Sequence, residues 1–199
     1  MPTQFLKIPH ERIGVLIGKN GSVKAFLEEK GSCSIQVDSE SGEVLVEGED
    51  ALKVFRVAEV VKAIGRGFSP EKAFKLLDDE LLIFDILSLS HLSEKALKRI
   101  KGRIIGKNGR TRQIIEELTG AYVSVYGKTV AFIGNSHQIK VAREAVEMLV
   151  NGAPHGTVYR FLERKRREMA FDFVEASGEA DEAEEAEEGE GGGEEGISE

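Results

Sequence analysis

Hydrophobic and polar positions follow one order twice along the chain. In the first pass "TQFLKIP" alternates as a strand does, while "ERIGVLIG" and "SVKAFLEEKG" carry helical spacing. "SIQVDS" and "EVLVEG" are β-rich and joined through Gly42, and Leu52, Phe55, Val57, Val60, Val61 and Ile64 form a helical stripe behind an Asp50 cap. The second pass reads "LLIFDILSL" as a strand, "SEKALKRIKGRIIG" and "RTRQIIEELTG" as helices, and "YVSVYG" and "TVAFIG" as a hairpin over Gly127. A last helix runs from about Ser136 to Val150. Both passes give β-α-α-β-β-α, an α+β class with two small tandem domains.

The register of the repeat is set by a turn. "LIGKNG" at 16–21 returns as "IIGKNG" at 104–109, 88 residues later. Between the copies, "GRGFSPEKAF" at 65–74 predicts a linker helix, with Ser69 as its cap and Pro70 as its first residue. Domain boundaries follow at 4–66 and 80–153, with the linker at 67–79. A helix over 154–174 comes next, and 175–199, made almost wholly of Glu, Ala and Gly, reads as a disordered acidic tail.

Charge separates the two domains, since residues 1–65 carry 8 basic and 10 acidic groups. The net charge of −8 hides a strongly uneven distribution: residues 91–169 carry 16 basic and 7 acidic groups, whereas 170–199 carry 13 acidic groups and no basic ones. A polyanion is drawn to the first of these segments and repelled by the second. The tail reads either as a solubilising appendage or as an intramolecular competitor or docking strip for a basic partner. No run of eighteen apolar residues occurs and the N-terminus lacks a signal pattern, so a soluble cytoplasmic protein with no membrane role is expected.

The repeated turn carries the chemistry. A helix, a G-x-x-G turn and a second helix bring backbone amides and a positive helix N-terminus to one surface point, where glycine leaves the approach open. Phosphate is the natural guest, with Lys19 and Lys107 adding charge and Asn20 and Asn108 adding neutral donors. Asn follows the lysine in both copies, so neither is a nucleotide P-loop, and no nucleotide cofactor is expected. The histidines lack metal-ligand spacing and Cys33 is the single cysteine, so no metal site is expected. Carboxylate pairs such as Glu28–Glu29 and Glu116–Glu117 have ordinary helix-surface spacing, which leaves no catalytic set and argues against an enzyme.

On these residues the chain resembles the KH family of single-strand nucleic-acid binders. "RIIGKNGRTRQIIEELTGAYVSV" fits its pattern closely, and "GVLIGKNGSVKAFLEEKGSCSIQV" fits with an altered helix end. The resemblance implies two tandem type I KH domains, each clamping about four nucleotides. The clamps would be Gly18, Lys19, Asn20 and Gly21, and Gly106, Lys107, Asn108 and Gly109. The second groove would draw on Arg103, Ile104, Ile114, Val123 and Val125, for whose aliphatics an ordinary core role is an equal alternative. Arg110 and Arg112 flank the second turn, and Arg112 is expected to face RNA; the first turn has Ser22 and Lys24 there. The second domain is therefore expected to supply most of the affinity. Arg160, Arg164 and Arg167 share a stripe on the 154–174 helix and extend the basic surface.

The segments "GKNGRTRQIIEELTG" and "NSHQIKVAREAVEMLVNGAPHGTVYR" further resemble the ribosome-assembly family known as Dim-two or partner-of-Nob-one. That resemblance implies binding to the 3′ region of small-subunit (16S) ribosomal RNA. Its implied partners are the endonuclease that trims this end and other assembly or initiation factors. The intact first turn makes the chain similar to an archaeal form. A KH protein of RNA degradation or messenger-RNA regulation, or a single-stranded DNA binder, stands as the alternative.

Overall fold

The computed structural model describes residues 1–171, so the acidic tail expected at 175–199 and the end of the helix expected at 154–174 lie outside the described residues. The first unit consists of β1 (Thr3–Lys7), α1 (His10–Ile17), α2 (Ser22–Gly31), β2 (Cys33–Val37), β3 (Glu43–Gly48) and α3 (Ala51–Gly65). After two short helices, α4 (Pro70–Ala73) and α5 (Lys75–Asp78), the order recurs. It runs through β4 (Ile83–Ser88), α6 (Glu94–Ile105), α7 (Arg110–Thr119), β5 (Tyr122–Tyr126), β6 (Thr129–Gly134) and α8 (Ser136–Val150). A ninth helix, α9, covers 155–171. Each unit has one antiparallel sheet, ordered β1-β3-β2 and β4-β6-β5, so the last strand of each sits at its centre.

Local chemistry accounts for most boundaries. The Asp50 carboxylate accepts from the amides of Leu52 and Lys53 and starts α3, as the sequence predicts. Ser93 caps α6, and Asn135 with Gln138 forms a reciprocal capping box on α8. Two expectations need correction. The linker is two short helices divided at Phe74, and the Ser69 side chain makes no cap bond although Pro70 does open the first of them. Leu52 and Phe55 are not in the buried stripe of α3: they are 62% and 48% exposed, and Val54, Ala58 and Ala63 take the inward positions with Val57, Val60, Val61 and Ile64.

The two sheets are covered differently. In β3 burial alternates, because only one face is packed by helices. In β6 the five residues Val130, Ala131, Phe132, Ile133 and Gly134 are all buried. Val130 and Phe132 belong to the second domain's own core, whereas Ala131 and Ile133 pack into the core of the first, together with Phe84, Ile86 and Tyr122. Phe68, Ala73 and Leu76 of the linker complete that shared core, with the Phe68 and Phe84 rings edge to face at 6.5 Å.

Polar contacts reinforce the docking. Arg12 on α1 donates to the carbonyls of Ile64 and Phe68 at 2.8 and 2.7 Å and lies over the Tyr126 ring, while the Tyr126 hydroxyl donates to Glu11. Arg56 on α3 donates to the carbonyls of Leu82 and Glu80 beyond the linker at 2.8 and 2.6 Å. Gly67 sits at φ +96° where the chain crosses β5, and a Cβ there would come within 2.7 Å of the Ser124 hydroxyl. Helix α9 is no appendage either, since Val158, Phe161 and Leu162 are buried in the second core.

Because linker and sheet share one core, Phe68→Ala is expected to cost about 3–5 kcal/mol. Urea denaturation checks this; a loss below about 1 kcal/mol would show that the linker does not bind the domains together.

Candidate nucleic-acid interface

Both turns have the same backbone. Gly18 and Gly106 sit at φ +74°, ψ 175°, and Asn20 and Asn108 at φ +53°, ψ 30°, a left-handed conformation that Asn tolerates better than most residues. The last glycine of each turn is also left-handed, at φ +74°. The first glycine is forced by contact as well: a Cβ on Gly106 would lie 2.2 Å from the Thr111 hydroxyl, and one on Gly18 2.5 Å from a Val23 methyl. At Gly21 a Cβ would meet nothing within 4 Å, and at Gly109 only the tip of Arg112 at 3.9 Å. No side chain among the described residues caps α2 or α7; within the turns the amides of Gly21 and Ser22 donate to the Gly18 and Lys19 carbonyls, and those of Gly109 and Arg110 to the Gly106 and Lys107 carbonyls, so what each turn offers an anion is an uncapped, positive helix N-terminus.

Beside the second turn runs a groove of about 360 Å³. Ile105 and Arg112 form one side, the edge of β5 at Val123–Val125 another, and linker residues from Gly67 to Lys72 the third. Glu116 organises this wall. Its Oε1 accepts from the Val123 amide at 2.8 Å and pairs with the Lys72 ammonium at 3.5 Å, while Oε2 holds the Arg112 guanidinium at 3.1 Å. The Ser124 hydroxyl donates to the Arg66 carbonyl at 2.8 Å, and Lys72 and Lys75 lie 5.2 and 5.7 Å from the Tyr122 ring centroid. The result is an apolar floor beneath hydroxyls and cations, suited to bases with their phosphates at the rim.

Several expected positions move. Ile104 is a correction: it is fully buried in the second core, and the next residue, about 100° further around α6, faces the groove. Arg103 lies away from the groove, where its guanidinium donates to the Ala153 carbonyl and its own carbonyl meets His155 Nε2 at 2.9 Å. Ile114 packs against the core, and Val123 and Val125 serve core and groove together. Lys107, Asn108 and Arg110 are exposed around the turn, and Arg160, Arg164 and Arg167 are exposed along α9.

The first turn has poorer surroundings. Glu28 repeats the Glu116 bond, accepting from the Ile35 amide at 2.8 Å, and pairs with Lys24 at 3.4 Å. Yet Val15 and Ser22 stand where the second domain has Arg103 and Arg110. Its hairpin also holds a fixed negative charge: the Asp38 carboxyl is pushed below its ordinary pKa, chiefly by the Glu40 amide and then by the Ser41 hydroxyl. Cys33 takes no part in this chemistry. Burial, with the Glu28 charge second, raises its pKa and keeps the thiol protonated.

Known proteins are similar to this chain. Residues 83–167 match the model of the eukaryotic type KH domain, type I, and residues 3–63 match the KH domain model. A KH domain-containing protein of Methanocaldococcus jannaschii, MJ0443, is 46% identical over 172 residues, covering 83% of this chain and 75% of the relative. The pre-rRNA-processing protein PNO1 of Candida albicans is 38% identical over 105 residues, covering 51% of this chain and 38% of that protein. The chain belongs to the PNO1/Dim2 family of KH-domain proteins. A solved complex of a/eIF2alpha, aDim2p and rRNA from Pyrococcus horikoshii OT3 contains a chain 52% identical, with a TM-score of 0.79 over 83% of this chain and 94% of that one. The family is one of RNA-binding, non-enzymatic proteins of pre-rRNA processing. Among the described residues no helix is long and apolar enough to cross a membrane.

Within this family frame, sequence reading missed Ile105, Ser69 and Lys72 at the groove. For Ile105 a signal existed, since helical spacing from Ile100 selects Ile104 for the core. For the linker pair no local signal existed, because their placement comes from domain docking.

The contacts predict an asymmetry between the turn's glycines. Gly106→Ala, strained in backbone and clashing with Thr111, should destabilise more than Gly109→Ala, for which about 1–2 kcal/mol of left-handed strain is expected. Thermal unfolding of the two variants compares them directly, and equal shifts would show that the Thr111 contact yields freely.

Proposed function

We propose that the protein binds single-stranded RNA in the 3′ region of small-subunit ribosomal RNA during subunit maturation, principally through the second KH domain. The observation that carries this reading is the second turn's combination of an uncapped helix N-terminus with the Arg112–Glu116–Lys72 wall, placed among Lys107 and Arg110. The first turn keeps the same dihedrals among Val15, Ser22 and Asp38, so it assists RNA binding or meets a protein partner. Supporting the target are the pre-rRNA-processing role in the name of the Candida relative and the rRNA in the Pyrococcus complex. Its partners are the endonuclease that trims the rRNA end and an initiation or assembly factor; the a/eIF2alpha in the Pyrococcus complex supports the second of these. Arg160, Arg164 and Arg167 on α9 add phosphate contacts that position the strand without selecting its sequence.

Substitution within the turns tests the assignment. Asp accepts the left-handed conformation at Asn108, so Lys107→Asp/Asn108→Asp should fold while placing two carboxylates at the phosphate seat. Its RNA affinity should drop by about a hundredfold or more at low salt, against about tenfold or less for Lys19→Asp/Asn20→Asp. The reverse ranking by fluorescence anisotropy would assign the principal clamp to the first domain. Competition by DNA of the same sequence separates the polymers, and crosslinking in cells with sequencing of bound RNA reads the target. Reads concentrated outside small-subunit rRNA would overturn the ribosomal assignment.

The contribution of α9 has to be measured by charge removal, because truncation would strip Val158, Phe161 and Leu162 from the second core. Replacing Arg160, Arg164 and Arg167 with Gln should reduce the slope of log affinity against log salt by about 2 if all three touch phosphate. An unchanged slope would remove them from the interface.

A further inference from the structure

A second cleft, of about 460 Å³, opens beside the same turn and shares no lining residue with the groove. It lies between α6, the turn and the start of α9, and Arg99, Lys107 and Arg110 face it together with His155 and Tyr159. None of its lining residues is acidic. Its aromatic wall is held in place: the Tyr159 hydroxyl bonds the buried Thr111 hydroxyl at 2.9 Å, His155 Nε2 meets the Arg103 carbonyl at 2.9 Å, and the two rings lie 6.1 Å apart. Both rings are partly exposed, so ring surface remains for a ligand.

Gly102 lines this cleft. It lies within a regular helix, where glycine costs roughly 0.5–1 kcal/mol relative to alanine. Among the described residues nothing requires its small size, because a Cβ there would meet no atom within 4 Å; the same holds for its first-domain counterpart Gly14, so what distinguishes the second domain is the lining around the glycine. The missing side chain leaves room beside cations and aromatic rings. In the first domain the same turn has Glu11, Val15 and Ser22 where the second has Arg99, Arg103 and Arg110, so the basic lining is particular to the second.

Resting on the RNA-binding reading above, we propose that this cleft seats one further nucleotide of the strand held by the clamp. Its base stacks against Tyr159 and His155, and its phosphate pairs with Arg99 and Arg110. Lys107 belongs to both the turn and the cleft, so a strand leaving the clamp on this side enters the seat without crossing open solvent. The site extends recognition past the roughly four nucleotides that one KH groove holds.

Length dependence tests the seat. RNA oligomers of four and eight nucleotides, matching the 3′ end of small-subunit rRNA, are titrated against wild type, Gly102→Leu and Arg99→Ser by anisotropy and NMR. Gly102→Leu fills the cleft with a better helix former, and Arg99→Ser removes an exposed charge without touching the core. Each variant should bind the eight-nucleotide RNA about tenfold more weakly than wild type and the four-nucleotide RNA within about twofold of it. Equal affinity of wild type and both variants for the longer RNA would overturn the proposal. Circular dichroism confirms folding, and Arg99→Ser decides alone if Gly102→Leu unfolds. Lys107→Asp/Asn108→Asp serves as the control: if it retains both oligomers the clamp reading itself fails, whereas its loss of both beside unchanged seat variants removes only the seat.

Discussion

Everything in the arrangement depends on the outer face of β6. Ala131 and Ile133 point away from the helices of their own domain, and an apolar sheet face of this kind must be covered. The first domain and the linker cover it, which fixes the second sheet against α3 and draws the linker across β5. That crossing brings Ser69 and Lys72 to the groove, and the groove is thus a product of domain docking as much as of the KH fold. Arg12 and Arg56, each donating to two backbone carbonyls, hold the crossing in register.

The duplicated turns show which features of a phosphate seat are steric and which are electrostatic. The dihedrals agree within 2° because they are set by the glycine contacts, by the Asn conformation and by the start of the next helix. Charge around them is set by exposed side chains that can change with little effect on folding. Glu28 and Glu116 illustrate the division. Both satisfy a strand amide, a structural task, but only Glu116 is also shared by an arginine and a linker lysine. One residue at the same position therefore serves the fold in one domain and organises a polar surface in the other.

The repeat order, the turns, the Asp50 cap and the contrast in charge could be read from sequence because each is a local pattern. The packing of the domains is not local, yet one trace of it was present. "EVLVEG" alternates, whereas in "TVAFIG" every residue after Thr129 is apolar, which is what a strand buried on both faces requires. Read that way, β6 would have called for a cover over the second sheet. Leu52 and Phe55 differ for the opposite reason: their spacing fits a helical stripe, but they sit near the start of α3, where the elements among the described residues leave them 62% and 48% exposed. Ile104 and Ile105 differ only by one step of helical rotation, and the core takes the first. Arg103 could not be placed from spacing because its partner, Ala153, is 50 residues away in the chain.

A shared core also governs how the two clamps can be compared. Separating the domains would expose Phe84, Ile86, Ala131 and Ile133 on one side and the linker's Phe68 and Leu76 on the other, so an isolated second domain would lose its groove wall together with its cover. Weak RNA binding by such a fragment would report that loss and say nothing of the first clamp. Point changes at Lys19 and Lys107 leave the core intact, because both side chains are exposed. On the proposed reading the same rigidity favours binding: Lys72 is already held by Glu116 and Tyr122, so less side-chain freedom would be lost when a strand enters. Hydrophobic cover and the proposed RNA groove are thus linked through one short linker, and a change that loosens the first should weaken the second.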